Sequence, residues 1–254
     1  MKEKAYKVLA MQEGISNAKA KQLIDDGLVS YAGKQLEVAR AVVSSNAKLV
    51  VQKQDVKVVF EDDNLIAFNK PYGYNVDFFT SSNYKLLNRL DKQTSGVILA
   101  CKNEEFRKKA INEYKKHNVL KVYVAVVNGI ISEEIIINEP ILSIKTKNGA
   151  FSKISPKGDE AVTYVKPLLV SGKKTLVEVK IITGKTHQIR LHLSHIGHGI
   201  VGDSKYAGFN SKRMFLHAYY NKIFDYHIYA KPDKSFYSDF GEFENLLSYT
   251  NENI

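Results

Sequence analysis

The chain has a single cysteine, Cys101, which excludes an internal disulfide and any cysteine-rich metal site. Long apolar runs are also missing. Those present are strand-length, too short for a bilayer-spanning helix. The opening MKEKAYKVLAMQEG has neither an apolar signal core nor a small-residue cleavage site, so the expected location is the cytoplasm. Arginine is scarce: Arg40, Arg89, Arg107, Arg190 and Arg213 stand against 32 lysines. Guanidinium is planar, permanently charged and makes forked hydrogen bonds. In so lysine-rich a chain the few arginines mark places where lysine does not serve, and Arg89 and Arg190 stand out by their surroundings. Acidic residues are absent from 179 to 202.

What is present is ordinary globular material. The chain has 254 residues, 44% hydrophobic and 25% charged, enough for one large domain and a small one with real cores and too apolar for disorder. Net charge is +10, distributed as +4 over 1–54, +10 over 55–232 and −4 over 233–254. A basic body with an acidic tail favours a polyanionic partner.

The first 54 residues read as a small module. Ala5, Val8 and Leu9 give a short amphipathic helix that Gly14 ends. Ser16 can cap a second helix carrying Ala20, Leu23 and Ile24, with Lys19 and Lys21 elsewhere on its surface, and Gly27 is its natural stop. LVSYAGKQL reads as a hairpin around Ala32 and Gly33, and KLVVQ as a closing strand. QKQDVK, 52–57, is the expected linker. Beyond it come strand-like VKVVFE, NLIAFNK, VILACK, KVYVAVVNG and TLVEVKIIT, the last with Val177, Val179 and Ile181 on one face. Asn103 can cap a helix over EEFRKKAINEYKK, and another helix is expected from Thr186. Strands and helices interleave irregularly, which predicts α+β with a mixed, largely antiparallel sheet over 55–254.

Three segments carry chemistry. In NRLDKQTSG, Asp91 sits in a polar loop before an apolar strand, flanked by the donors Arg89, Thr94 and Ser95; a strand can hold such a carboxylate rigid in a cleft. In KVYVAVV, Val122, Val124 and Val126 share one strand face and Tyr123 takes the other, as core packing or as a flat stacking surface. In TGKTHQIRLHLSHIGH a strand ends at Gly184, Thr186 caps a helix and Arg190 lies one turn in, which aims backbone N–H groups and a guanidinium at one place, an anion site. The upstream glycine of a phosphate-binding P-loop is absent. His187, His192, His195 and His198 lack the carboxylate or tight triad of a zinc or iron site, so they read as donors or stacking rings beside RNA. GDSKY and RMFLHA read singly as a turn and a buried strand.

Taken in order, these segments resemble the RluA type of bacterial pseudouridine synthase. NRLDKQTSG meets that family's HRLD-xx-TSG, with Asn88 in place of histidine; residues 183–206 meet TG[RK]THQIR-x-HL…GH-x-I-x-GD-x-x-Y; Asn69–Gly73 meet NKP-x-G, Lys121 and Tyr123 meet K-x-Y, and 216–218 meet LHA. The stretch between NKPYG and NRLD is short, and FDYHIY alters a segment after LHA. The 1–54 module resembles the RNA-binding module named after ribosomal small-subunit protein four. The resemblance implies a pseudouridine synthase fold and isomerisation of uridine in RNA, expected in large-subunit ribosomal RNA, by a monomer without metal, organic cofactor or membrane. It implies a catalytic set of Asp91, Tyr123 and Arg190. Asp91 would act as nucleophile at sugar or base, or as base toward a sugar proton. Arg190 would be its countercharge and Tyr123 the stacking ring. Arg89 would fill the gap left by the flipped base, and Lys70, Lys185, His187, Lys19 and Lys21 would meet RNA. Transfer RNA as substrate, a non-catalytic RNA-binding or ribosome-assembly role and a histidine-based nuclease are the readings left open.

Overall fold

The protein is described here by a computed structural model covering residues 2–25, 28–36, 38–51, 56–74, 84–146, 149–207, 211 and 213–248. The chain divides into two compact units, Met1–Val56 and Lys57–Ile254. Among the described residues no helix is long and apolar enough to cross a membrane.

The first unit contains β1 (Lys2–Lys4), α1 (Ala5–Glu13), α2 (Asn17–Asp25), β2 (Val29–Tyr31), β3 (Lys34–Gln35), β4 (Val42–Ser44) and β5 (Leu49–Val51). Helix α1 buries Ala5, Val8 and Leu9 and ends at Gly14, φ 63°. Ser16 Oγ accepts the Lys19 N–H at 3.2 Å, a side-chain cap for α2. Ala32 (φ 50°) and Gly33 (φ 76°) are both left-handed, as a two-residue hairpin turn requires, and β5 pairs with β2. The sequence pattern does not signal β1, a polar Lys-Glu-Lys strand paired with β4 through its backbone. Gly27 and linker residues 52–55 lie outside the described residues.

The second unit runs β6 (Lys57–Glu61), β7 (Leu65–Lys70), β8 (Lys85–Leu86), β9 (Ser95–Cys101), α3 (Glu104–Lys115), β10 (Leu120–Asn128), β11 (Ile135–Asn138), β12 (Ile141–Thr146), β13 (Gly149–Ile154), β14 (Val162–Ser171), β15 (Lys174–Ile181), α4 (Gln188–His195), β16 (Leu216–Ile223), β17 (Tyr226–Tyr229) and α5 (Lys234–Tyr237). Among the described residues ten strands form one sheet in the order β11-β14-β15-β10-β16-β9-β7-β6, with β17 on β16 and β8 on β9; β12 and β13 form a separate hairpin. Its pairings are antiparallel except where β16 meets β9 at His217↔Ser95 and Ala218↔Gly96. That parallel contact joins the two halves of the sheet. Gly96 has φ +113°, and a Cβ there would lie 2.2 Å from the Ala218 carbonyl oxygen, so the junction requires glycine.

One core lies under α3, where Leu65, Val97, Leu99, Ala110 and Val119 meet. Helix α3 starts with the Asn103 side chain accepting the Phe106 N–H at 2.8 Å. The other core holds Val122, Val124 and Val126 against Leu176, Phe236, Phe243 and Leu247. Val177, Val179 and Ile181 are buried as the alternation predicts, but Leu176 and Glu178 on the other face of the strand are buried too. The chain past residue 233 covers that second face of β15, and the Ser248 N–H donates to Glu178 Oε2 at 2.7 Å.

Candidate active site

Asp91 is fixed by its backbone. Upstream, the Asn88 side chain donates to the Val97 carbonyl at 3.1 Å and accepts the Leu99 N–H at 2.7 Å. Its carboxamide thus pairs with β9 as a neighbouring strand would, the work found for the residue standing where histidine is usual. Downstream, the Thr94 N–H donates to the Asp91 carbonyl at 3.0 Å, and the Gly73 N–H donates to that of Lys92 at 2.9 Å. Lys70 Nζ donates to the same Lys92 carbonyl and to Pro71, each at 3.0 Å. The turn carrying Asp91 is therefore tied to the ends of two central strands, β7 and β9.

A pocket opens over this turn, lined by Arg89, Asp91, Tyr123, Lys185, His187 and Arg190 among others. Arg190, the third residue of α4, donates from Nη1 to Asp91 Oδ2 at 2.8 Å. Its Nε and Nη2 donate to the two oxygens of Asp203 at 2.7 and 2.8 Å. Asp203 Oδ1 also accepts the N–H groups of Lys205 and Tyr206. Arg190 thus bridges an enclosed carboxylate, Asp203 at 1% side-chain exposure, and an accessible one, Asp91 at 28%. The asymmetry leaves Asp91 as the carboxylate that can meet a ligand. Hydrogen bonds from Arg190 and the two backbone amides more than offset burial and hold the Asp203 carboxyl below its ordinary range. The turn before Asp203 needs Gly202, because a Cβ there would fall 1.9 Å from the Arg213 carbonyl.

Tyr123 stands on β10 with its valine neighbours on the opposite face, and it is 9% exposed. Burial first, and the Asp91 charge second, push its phenol above the ordinary range, so the ring stays neutral. Lys121, two residues before it, donates to the Ile182 and Thr183 carbonyls where β15 ends; burial lowers its pKa to about 8. Arg89 is exposed at the rim. Lys185 is a wall residue whose ammonium pairs with Asp159 at 3.0 Å. Lys19 and Lys21 are on α2 of the first unit, Lys19 exposed and Lys21 set 4.4 Å over the Tyr6 ring.

Several expectations need correction. Lys70 is fully buried. Its ammonium faces two protein carbonyls, so it supports the Asp91 turn and has no surface to offer RNA; burial lowers its pKa to about 7. Helix α4 is capped at His187, φ 58°, and not at Thr186. The Lys185 N–H before it is not aimed at a ligand, because Gln188 Oε1 accepts from it and from the Thr183 hydroxyl. His192 is buried between Thr163 and the Glu139 carbonyl, so its ring is not at the surface, and the half-buried His198 donates from Nδ1 to the Asn128 carbonyl. Among the described residues no three His, Cys, Asp or Glu side chains gather as a metal group. Asp203 is the residue that reading the segments singly missed. The available signal was chemical: a buried guanidinium needs more than one carboxylate oxygen pair, and Asp203 is the first acid after Arg190.

The family model described as RNA pseudouridylate synthase matches residues 64–195, a span that holds Asp91, Tyr123 and Arg190. An uncharacterized RNA pseudouridine synthase of Helicobacter pylori strain J99 is 51% identical over 242 residues, covering 92% of this chain and 99% of that protein. The ribosomal large subunit pseudouridine synthase C of Rickettsia felis is 34% identical over 210 residues, covering 69% of this chain and 68% of that protein. In fold, the chain is similar to human RNA pseudouridylate synthase domain containing 1, with a TM-score of 0.64 and 24% identity over 73% of this chain and 88% of that one. The chain belongs to the RNA pseudouridine synthase family. It is an isomerase that converts uridine in RNA to pseudouridine.

Proposed function

We propose that Asp91 is the catalytic carboxylate of this isomerase and that its substrate is large-subunit ribosomal RNA. The observation that carries the first part is the 2.8 Å contact from Arg190 Nη1 to Asp91 Oδ2 in a pocket that also holds Tyr123. The second rests on relatives named ribosomal large subunit pseudouridine synthase C and D, at 32% and 26% identity.

The isomerisation breaks the N1–C1′ bond of uridine, turns the base and joins C5 to C1′; C5 gives up its proton and N1 gains one. The base must first leave the RNA stack, at a cost of a few kcal/mol. Stacking on Tyr123 returns roughly 1–3 kcal/mol, and a neutral phenol ring suits a neutral base. Arg89 at the rim enters the gap the base leaves. Asp91, held in place by Arg190 Nη1 at 2.8 Å, acts on the nucleoside that has entered. Lys185 at the wall and Lys19 and Lys21 on α2 meet phosphates, the first 54 residues serving as an RNA-binding module.

Asp91→Asn keeps the shape and removes the anion. It should abolish tritium release from RNA carrying 5-tritiated uridine while RNA binding persists; near wild-type release would overturn the assignment. Pseudouridine mapping in a deletion strain should show a site lost from large-subunit ribosomal RNA. Loss from transfer RNA alone would overturn the substrate.

A further inference from the structure

We infer that His187 is a positioning residue whose tautomer is set by Tyr206, and that it holds Asp91 by Oδ2 so that Oδ1 is the oxygen presented to the nucleoside. The inference rests on the reading of Asp91 as the catalytic carboxylate.

The tautomer follows from counting protons. The Ser152 backbone N–H donates to the Tyr206 hydroxyl oxygen at 3.2 Å. That hydroxyl lies 2.8 Å from His187 Nδ1. A backbone amide can only donate, and among the described residues no other acceptor for the hydroxyl proton is found, so we assign that proton to Nδ1 as its acceptor. The imidazole proton then sits on Nε2, and Nε2 is 3.7 Å from Asp91 Oδ2. The chain Ser152, Tyr206, His187 thus delivers an N–H to the oxygen that Arg190 already holds. A small shift as the pocket fills would make it a hydrogen bond. Among the described residues no hydrogen bond reaches Oδ1.

The backbone supports the same assignment. His187 is the non-glycine cap of α4 in the left-handed region, φ 58°, a conformation kept where the surroundings over-determine it. Tyr206 is fixed in turn: its ring packs on Phe151 and lies under the Arg190 guanidinium, 5.2 Å from its centroid. The groups facing the imidazole are Asp91 and Asp203, which favour its protonation, and Arg190 and Lys205, which oppose it. Burial, the largest influence, adds to the opposition and lowers its pKa. A protonated ring would carry a proton on Nδ1 and leave the Tyr206 hydroxyl without its acceptor.

The test measures single-turnover tritium release against pH and RNA concentration, using RNA from a deletion strain labelled with 5-tritiated uridine. His187→Asn retains a residue tolerant of positive φ but is too short to reach Asp91. Tyr206→Phe keeps the ring and removes the hydroxyl. In His187→Asn the saturating rate should fall on the order of 10- to 100-fold, with little change in half-saturating RNA, and the acid limb set by His187 should vanish. In Tyr206→Phe the limb should move to higher pH, because the bond favouring the neutral imidazole is gone. A wild-type saturating rate in His187→Asn, with only weaker RNA binding, would make His187 a plain RNA contact and overturn the inference. So would wild-type acid limbs in both variants. Asp91→Asn in the same assay separates the two readings: activity there sinks the catalytic assignment itself.

Discussion

At the scale of single residues the site depends on one guanidinium. Arg190 spends Nη1 on Asp91 and its Nε, Nη2 edge on Asp203, a two-sided use that lysine's point charge cannot copy. Arg190→Lys should therefore depress the single-turnover rate sharply although net charge is unchanged; a rate equal to wild type would show that charge alone suffices. Asp203→Asn leaves the buried end of the guanidinium without its countercharge, and breaking such a pair typically costs about 3–5 kcal/mol. Urea unfolding should register that loss, and an unchanged midpoint would sink the bridge as a stabilising feature. The Asp91–Arg190 pairing was expected from the family resemblance; the distinctive segments and scarce arginine marked the two residues but did not place them against each other. Asp203 was not, because its own segment is a Gly-Asp turn and turns use aspartate for local reasons. Lys70 was misread for the converse reason: nothing in NKPYG announces that an ammonium will be buried against carbonyls.

At the scale of elements the vulnerable point is where β9 runs parallel to β16. Gly96→Ala would drive a methyl group into the Ala218 carbonyl at a positive φ, a strain on the order of 3 kcal/mol or more. The variant should melt well below wild type or fail to accumulate in soluble form; a wild-type melting curve would refute the close approach. His217, beside the same junction, adds a pH dependence. Its Nε2 donates to the Ala230 carbonyl at 2.7 Å and Nδ1 meets the Ser95 hydroxyl at 2.9 Å. Burial lowers its pKa from 6.5 to about 4. Between those values the unfolded chain binds the proton and the folded one does not, so stability falls as pH drops from about 6.5 to 4. At about 1.36 kcal/mol per unit, roughly 3 kcal/mol is at stake. In urea titrations across that range His217→Asn should lack this part of the acid destabilisation; curves parallel to wild type would overturn it. The strands themselves were readable from alternation and apolar runs, and α3 from its cap and its charges. The parallel join was not, since it pairs residues more than a hundred positions apart and the only local trace is one glycine in TSG.

For the whole molecule, charge and connectivity have to be taken together. The described part of the acidic segment, residues 233–248, is packed on the protein: Phe236, Phe243 and Leu247 are buried, each worth about 1.5–3 kcal/mol. Asp233, Asp239 and Glu244 pair with Arg213, Lys174 and Lys231. Three described acids of this segment are thus engaged with the protein's own cations. The first unit keeps its charge outward in a different way. It has a separate core of Leu9, Ile24, Val29 and Leu49, while Lys19 is exposed and Lys21 rests on Tyr6 at its edge. Residues 1–56 carry nine basic and six acidic side chains. If that unit contributes phosphate contacts, removing it changes affinity and salt dependence together. For single-stranded RNA each neutralised phosphate contributes about −0.7 to the slope of log affinity against log salt. A 57–254 protein, which retains both cores of the second unit and the whole pocket, should bind RNA more weakly and with a flatter slope, yet still release tritium slowly. In the full chain Lys19→Ala and Lys21→Ala should each flatten the slope by about 0.7 without altering the saturating rate. A truncated protein with the full-length slope would place the phosphate contacts on the catalytic unit and leave the first 56 residues without this role.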